Sequence, residues 1–256
     1  MDSLISKRNT TKQSWFLTFT HSPRAVLRLF CFPYAGSSAL VFRNWPNGLP
    51  DTIEVCAVQL PGRSDRLSEE PYTNLALLTE AIGQAMLSYL DMPFALFGHS
   101  LGAMISFEVA RFLRRRGARP PECLFVAGRR APHIPDTEVI QHAMPESELI
   151  EQLRQLNGTP NEVFDNPELL QLILPVIRAD FKLAETYTYT FEPPLSCPIA
   201  AFCGLEDQEE NRERLEAWRE HTISKFSLRT LAGGHFFLHS SESDLLRGLA
   251  QELLCY

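Results

Sequence analysis

Short apolar runs recur along the chain, separated by stretches in which apolar positions fall three and four residues apart. Runs rich in β-branched and aromatic residues predict strands at 25–32 (AVLRLFCF), 53–60 (IEVCAVQL), 94–98 (FALFG), 122–128 (ECLFVAG), 198–204 (PIAAFCG) and 226–231 (FSLRTL). Between them, 74–90 places Leu78, Ile82, Met86 and Leu90 at four-residue steps on one helix face. Residues 102–117 read as a helix ending in arginines and Gly117, which suits a helix C-terminus both electrostatically and conformationally. Residues 241–254 read as a final helix, with Ser241 or Ser243 as its cap. Strand and helix alternate, so the fold class is α/β, with a mostly parallel central sheet flanked by helices.

One region breaks the alternation. From Pro132 to about Tyr189 nothing reads as a sheet strand, and a structureless loop of that length is improbable in a compact domain. Two helices are expected there instead. One starts at Pro145 and ends at Gly158; the other covers 166–187 and breaks or kinks at Pro175. Residues 1–256 are thus expected to form one domain, with 132–189 as a helical lid inserted within it.

The run FALF leads into GHSLG, residues 98–102, and a helix follows. A G-x-S-x-G set alone is common in turns. After a strand and before a helix it has the context of a nucleophile elbow, with Ser100 exposed at a sharp turn. A serine hydroxyl needs a base, and catalytic groups of parallel sheets gather at the carboxyl ends of strands. His235 follows the last strand through Ala232-Gly233-Gly234 and is the candidate base. His239 is its rival, nearer the final helix. His99 adjoins the serine, so its side chain is expected to point away from the reaction. His21, His133, His142 and His221 have no such placement. Asp207 follows the strand 198–204 and is the candidate acid, with Glu206 beside it as the alternative. Asp91 precedes a strand, at the wrong edge, and Asp180 is expected to serve a helix or hinge in the insertion. The order Ser–Asp–His is that of α/β-hydrolases. One oxyanion donor is expected at the Leu101 amide, and another in the loop FPYAGSS after the first strand.

Composition narrows the partners. The 256 residues are 45% hydrophobic and 21% charged with a net charge of −7, which gives no electrostatic case for nucleic acid. The six cysteines include no C-x-x-C pair, and Cys31, Cys56, Cys123 and Cys203 lie in strand-like runs as buried, reduced thiols. No stretch is apolar enough to span a bilayer, and residues 1–19 lack a signal-peptide core, so a cytoplasmic protein without membrane partner is expected.

The segments RLFCFPYAGSS, VQLPGRSDRL, PFALFGHSLGAMISFEVAR, LFVAGRRAP, LNGTP, RADFKLAETY, PLSCPIAAFCG and GGHFFL lie in this order between residues 28 and 238. In them the chain resembles the type II thioesterases, free-standing α/β-hydrolases that accompany nonribosomal peptide and polyketide synthetases. The resemblance implies Ser100 as nucleophile, Asp207 as acid, His235 as base, the amides of Ala35 and Leu101 as oxyanion hole, and helical lid segments at the insertion. The sequence departs from the family pattern at Ser37, where a second glycine is usual, and at Ser64, where an acidic residue is usual.

The activity so implied is hydrolysis of acyl thioesters on carrier proteins, with removal of aberrant or stalled acyl groups. The acyl group rides on the partner's 4'-phosphopantetheine, so no cofactor or metal of the chain's own is expected, and the partners are acyl or peptidyl carrier domains met by a monomer. Release of fatty acyl chains from a carrier protein, and a carboxylesterase or lipase with the same triad, are the alternatives. A non-catalytic module on this fold is disfavoured by the intact triad. The cluster Arg114, Arg115, Arg116 and Arg119 reads either as a solvated helix end or as a docking surface for an acidic carrier.

Overall fold

The computed structural model describes residues 14–135, 140–156, 158–208 and 210–253. Each expected strand forms: β2 (Leu27–Phe32), β3 (Ile53–Val58), β4 (Phe94–His99), β5 (Leu124–Ala127), β6 (Ile199–Gly204) and β7 (Phe226–Leu231). A strand not foreseen, β1 (Phe16–Thr18), pairs antiparallel with β3 at the sheet edge. Three residues carry too little periodicity to announce a strand, and the pairing with β3 makes it one. The sheet order is β1-β3-β2-β4-β5-β6-β7, and every pairing after the first is parallel.

Strands β2 to β6 are buried along their whole length, as a parallel sheet covered on both faces requires. One face packs on α1 (Leu75–Met86) and α2 (Leu101–Arg115), through Leu78, Ile82, Met104 and Phe107. The other packs on Phe42 and Trp45 and on α8 (Glu242–Leu253), through Leu245 and Leu249. The Ser241 hydroxyl donates to the Ala232 carbonyl ahead of α8, tying that helix to the loop after β7. All five described cysteines are free and buried, and burial pushes the Cys31 and Cys123 thiols well up; Cys255 lies outside the described residues.

Between β5 and β6 the described residues form helices and no strand: α3 (Glu146–Leu156), α4 (Asn161–Phe164) and α5 (Pro167–Glu185). Asn166 caps α5 by accepting the Glu168 and Leu169 amides at 3.1 and 3.2 Å, and Pro167 fills the first turn. The expected break at Pro175 does not occur, because α5 continues through it. Pro175 and Gln171, whose carbonyl loses its intrahelical partner, are both exposed, so water can take the missing bond. These helices share a small core of Leu149, Leu153, Phe164, Leu174 and Ile177. The short α-helices α6 (Arg212–Glu216) and α7 (Phe237–Ser240) flank the loops after β6 and β7.

Two histidines sit inside this frame. His99, at the end of β4, is fully buried, and burial followed by the nearby His235 pulls its pKa to about 3. His221 packs among Trp218, Phe107 and Tyr189, and burial, then His133, pulls its pKa to about 4. Both are neutral in the folded chain and titrate near 6.5 when unfolded, so protons favour the unfolded state as pH falls below 6.5. Urea unfolding should therefore give a stability about 2 kcal/mol lower at pH 5 than at pH 7 from His99 alone, with His221 adding in the same direction. His99→Gln should flatten that acid limb. Equal stability of the unaltered chain at the two pH values would contradict the neutral, buried state of these rings.

Candidate active site

The strand order reverses at β2, which lies between β3 and β4, and crevices for ligands open at such points beyond the carboxyl ends of the strands. Phe32 pairs with Gly98 across β2 and β4, so the loop that leaves β2 and the turn that leaves β4 emerge side by side. That pairing brings residues 33–38 next to Ser100.

Ser100 occupies φ 53°, ψ −117°, a strained conformation for a residue with a side chain. The turn needs glycine on either side. A Cβ on Gly98 would stand 2.1 Å from the Gly102 carbonyl oxygen, and one on Gly102 would stand 2.1 Å from that of Phe32. Strand and helix therefore approach as closely as bare backbone allows, and the serine is lifted out of both. Its amide donates to the Ala127 carbonyl at 2.8 Å, which ties the turn to β5.

His235 leaves the loop after β7, and its Nδ1 donates to Asp207 Oδ2 at 2.9 Å. The Asp207 side chain is fully buried, and its other oxygen accepts the Glu210 amide at 3.0 Å. Glu210 in turn accepts Arg130 Nε at 2.8 Å, and both of these residues are buried. Glu206, by contrast, is exposed on its turn; its amide, not its carboxylate, anchors it, donating to the Gly233 carbonyl. The carboxylate on the histidine is thus Asp207.

Ser100 and His235 line one cavity of about 260 Å³ together with Ala35 and Leu101. Neither the Ala35 nor the Leu101 amide donates to another group among the described residues, so both are free to face a bound oxygen. The far wall comes from the helical segment: Leu153 and Leu156 of α3, and Ile177, Phe181 and Ala184 of α5. A polar margin of Arg129, Gln141, Thr159 and Glu185 completes it. The Glu185 carboxylate accepts the Gln141 amide at 2.9 Å and pairs with the His142 ring, which holds the start of the segment against α5.

The other histidines separate cleanly. His99 does point away from the cavity, but it is not idle. Its Nε2 meets the His235 carbonyl at 2.8 Å; a carbonyl only accepts, so the ring carries its proton on Nε2 and braces the backbone of His235 from below. Sequence spacing held no signal for this contact. His239 meets the Tyr34 hydroxyl at 3.0 Å, away from Asp207. His133 and His221 pair with each other at 2.7 Å. Asp91 joins Arg28 at the opposite sheet edge. Asp180 and Arg63, which sequence reading did not single out as a pair, form a buried ion pair beside the loop 33–38. The Ser37 hydroxyl turns back to the Tyr34 carbonyl at 2.7 Å and Ser64 adopts φ 51°; neither lines the cavity. Among the described residues no cluster of His, Cys, Asp and Glu could hold a metal, and no helix is long and apolar enough to cross a membrane.

Comparison with known proteins places this geometry in a family. The model of the thioesterase domain matches residues 27–252. A relative named linear gramicidin dehydrogenase LgrE, from Brevibacillus parabrevis, is 43% identical over 98% of this chain and 97% of its own length. Among solved structures, RedJ, a thioesterase from the prodiginine biosynthetic pathway of Streptomyces coelicolor, superposes with a TM-score of 0.85 at 43% identity, covering 89% of this chain and 91% of RedJ. The type II thioesterase BorB from the borrelidin biosynthetic cluster superposes at 0.87 with 37% identity, covering 96% of this chain and all of BorB. A match that runs through every strand from β2 onward, with likeness in both sequence and shape, means that this chain belongs to the thioesterase family of α/β-hydrolases.

Proposed function

We propose that this thioesterase cleaves acyl thioesters carried on the phosphopantetheine arm of carrier domains, and that it clears aberrant or stalled acyl groups from a nonribosomal peptide or polyketide synthetase. The observation that carries the reading is a histidine held by the buried Asp207 that shares one cavity with a serine on a strained turn. The biosynthetic settings of RedJ and BorB support the choice of substrate.

The chemistry follows from the placement. Ser100 Oγ attacks the thioester carbonyl while His235 Nε2 takes its proton, and Asp207 holds the opposite ring nitrogen as donor and stabilises the imidazolium. The carbonyl oxygen, now negative, receives the amides of Ala35 and Leu101. The tetrahedral intermediate collapses, the thiolate leaves with the proton from His235, and an acyl-serine remains. Water attacks this ester with His235 again as base, and the free acid departs. A thiolate is a good leaving group, so acylation demands less acid assistance than it would from an amide. Hydride transfer, which the word dehydrogenase in the Brevibacillus relative's name would suggest, has no support here: the 256 residues contain no G-x-G-x-x-G turn for a dinucleotide.

Carrier docking at the arginine cluster is disfavoured. Arg114 and Arg115 each meet Glu192 at 2.6 Å, and Arg119 meets Glu122 at 2.9 Å, so these charges are partnered within the chain. The cluster also ends the helix that Ser100 begins. Fifteen residues of α2 put it about 22 Å from the serine, at the other end of the sheet. The carrier is better placed at the cavity margin, where Ile140 is exposed beside Gln141 and Thr159. The helical segment 132–189 then acts as a lid over Ser100, moving on the microsecond-to-millisecond scale usual for such elements.

Three measurements test these assignments. Acyl-carrier protein, acyl-CoA and a simple ester of the same acyl group should be hydrolysed with kcat/KM falling in that order; an ester cleaved as well as the carrier would point to a carboxylesterase instead. Asp207→Asn should lower kcat by roughly 10⁴-fold, as loss of a triad acid does elsewhere, while Glu206→Gln should cost little; the reverse pattern would name the wrong acid. Leu153→Trp, which fills the lid side of the cavity, should lower turnover of long acyl chains relative to short ones. An unaltered chain-length preference would remove the lid from specificity.

A further inference from the structure

Loop 33–38 meets the lid helix α5 at two points. Gly36 sits at φ 76°, and a Cβ there would stand 2.8 Å from Ile177 Cγ1, so the loop lies on α5 with bare backbone. Three residues on, and on the same helix face, Asp180 Oδ2 accepts the Gly36 amide at 2.7 Å. The same carboxylate takes Arg63 in a two-pronged pair, Nη1 to Oδ2 at 2.6 Å and Nη2 to Oδ1 at 2.8 Å. Arg63 Nη1 also donates to the Ser37 carbonyl at 3.0 Å, and its Nε to the Pro61 carbonyl at 3.2 Å. Asp180 is 1% exposed and Arg63 7%. Neither lines the cavity, so neither has a part in proton transfer there.

We propose that Asp180 is a positioning residue for the oxyanion site: by fixing the Gly36 amide from the lid helix it aims the adjoining Ala35 amide into the cavity, so that the site is complete only while α5 is seated. The inference rests on the reading of Ala35 as an oxyanion donor. Three features of the loop and its contacts carry it. First, Ala-Gly-Ser-Ser is a soft stretch of backbone, and an oxyanion donor is effective only when held before charge develops. Second, Asp180 fixes the peptide immediately after Ala35, the Ser37 amide fixes the next one by donating to the Tyr34 carbonyl at 3.1 Å, and Arg63 holds the carbonyl of Ser37 beyond it, so both sides of Gly36 are tied. Third, a buried ion pair is a poor source of stability compared with apolar packing, whereas its fixed two-pronged geometry suits it to setting a position. A shift of α5 by the length of one hydrogen bond releases the Gly36 amide and Arg63 together. An open lid then leaves the serine without its full oxyanion site, and attack waits for closure over a bound acyl group.

Two paired variants isolate the effect. Arg63→Met with Asp180→Asn removes both charges and keeps an acceptor for the Gly36 amide. Arg63→Met with Asp180→Leu removes both charges and the acceptor. The probes are octanoyl-CoA turnover and inhibition by an alkyl boronic acid, whose tetrahedral serine adduct fills the oxyanion site. The Leu form should have a kcat about 10–100-fold below the Asn form, a boronate affinity reduced in parallel, and a nearly unchanged KM. A purely structural role would lower the unfolding midpoint of both and leave kcat and boronate affinity per folded molecule equal; that result overturns the proposal. Should either pair fail to fold, amide exchange in the unaltered enzyme decides. Gly36 and the α5 amides around Asp180 should open with the same free energy, and a Gly36 amide exchanging freely while α5 stays protected overturns the proposal equally. Labelling of the unaltered enzyme by a small fluorophosphonate separates the two levels. No adduct at Ser100 discards the hydrolytic reading itself, whereas an adduct at Ser100 with equal paired variants discards only the role of Asp180.

Discussion

The molecule is organised around the contact between the end of β4 and the start of α2. With a carbonyl oxygen 2.1 Å from the place of each missing Cβ, Gly98 and Gly102 let three backbone segments converge where side chains would hold them apart. The cost falls on Ser100, whose φ of 53° is worth of order 1–3 kcal/mol of strain. The sheet supplies what offsets it. β4 is paired on both sides, the Ser100 amide is held by β5, and Phe97, just before the turn, is fully buried against Trp45 and Phe42. Burial of one such ring contributes about 2–3 kcal/mol, comparable with the strain it helps to maintain.

Around that turn, environment gives three neighbouring groups three different characters. His99 and His235 are the same residue type with ring centroids 5.2 Å apart. One lies wholly inside, is neutral, and spends its proton on the carbonyl of the other. The second stands at the cavity with the buried Asp207 carboxylate on its Nδ1. Asp207 itself is oriented by the Glu210 amide, and Glu210 by Arg130. Burial raises the Glu210 pKa, and Arg129 and Arg130 at the end of this chain of polar groups offset only part of that rise.

The helices between β5 and β6 meet this centre at defined places, and α5 also joins the core of the sheet through Leu183. Ile177 and Asp180 meet the loop after β2, and Gly158 lies against the Phe236 ring beside His235. The Arg63–Asp180 pair is the least tolerant of single changes, since removing either partner alone would strand a buried charge at a cost of about 3–5 kcal/mol. The segment thus touches the loop after β2 and the loop after β7, while the cluster around Leu149, Leu153 and Phe164 remains separate from the two that sandwich the sheet.

Much of this architecture was written locally. Apolar runs marked β2 to β7, helical spacing marked α1, α2, α3, α5 and α8, and the positions of Ser100, Asp207 and His235 behind successive strands marked side chains that the fold gathers at one end of the sheet, because each of these depends on neighbours in the chain. What lacked a local signature was settled only by folding. β1 is a strand because β3 had an edge to pair with, and α5 passes Pro175 because that turn faces water. The brace from His99 reaches across 136 residues and the clamp from Asp180 to Arg63 across 117. A sequence records which residues could donate or accept; which of them meet at such separations is decided by the packing of the sheet and its helices, since only there are distant polar groups drawn out of water and made to satisfy one another.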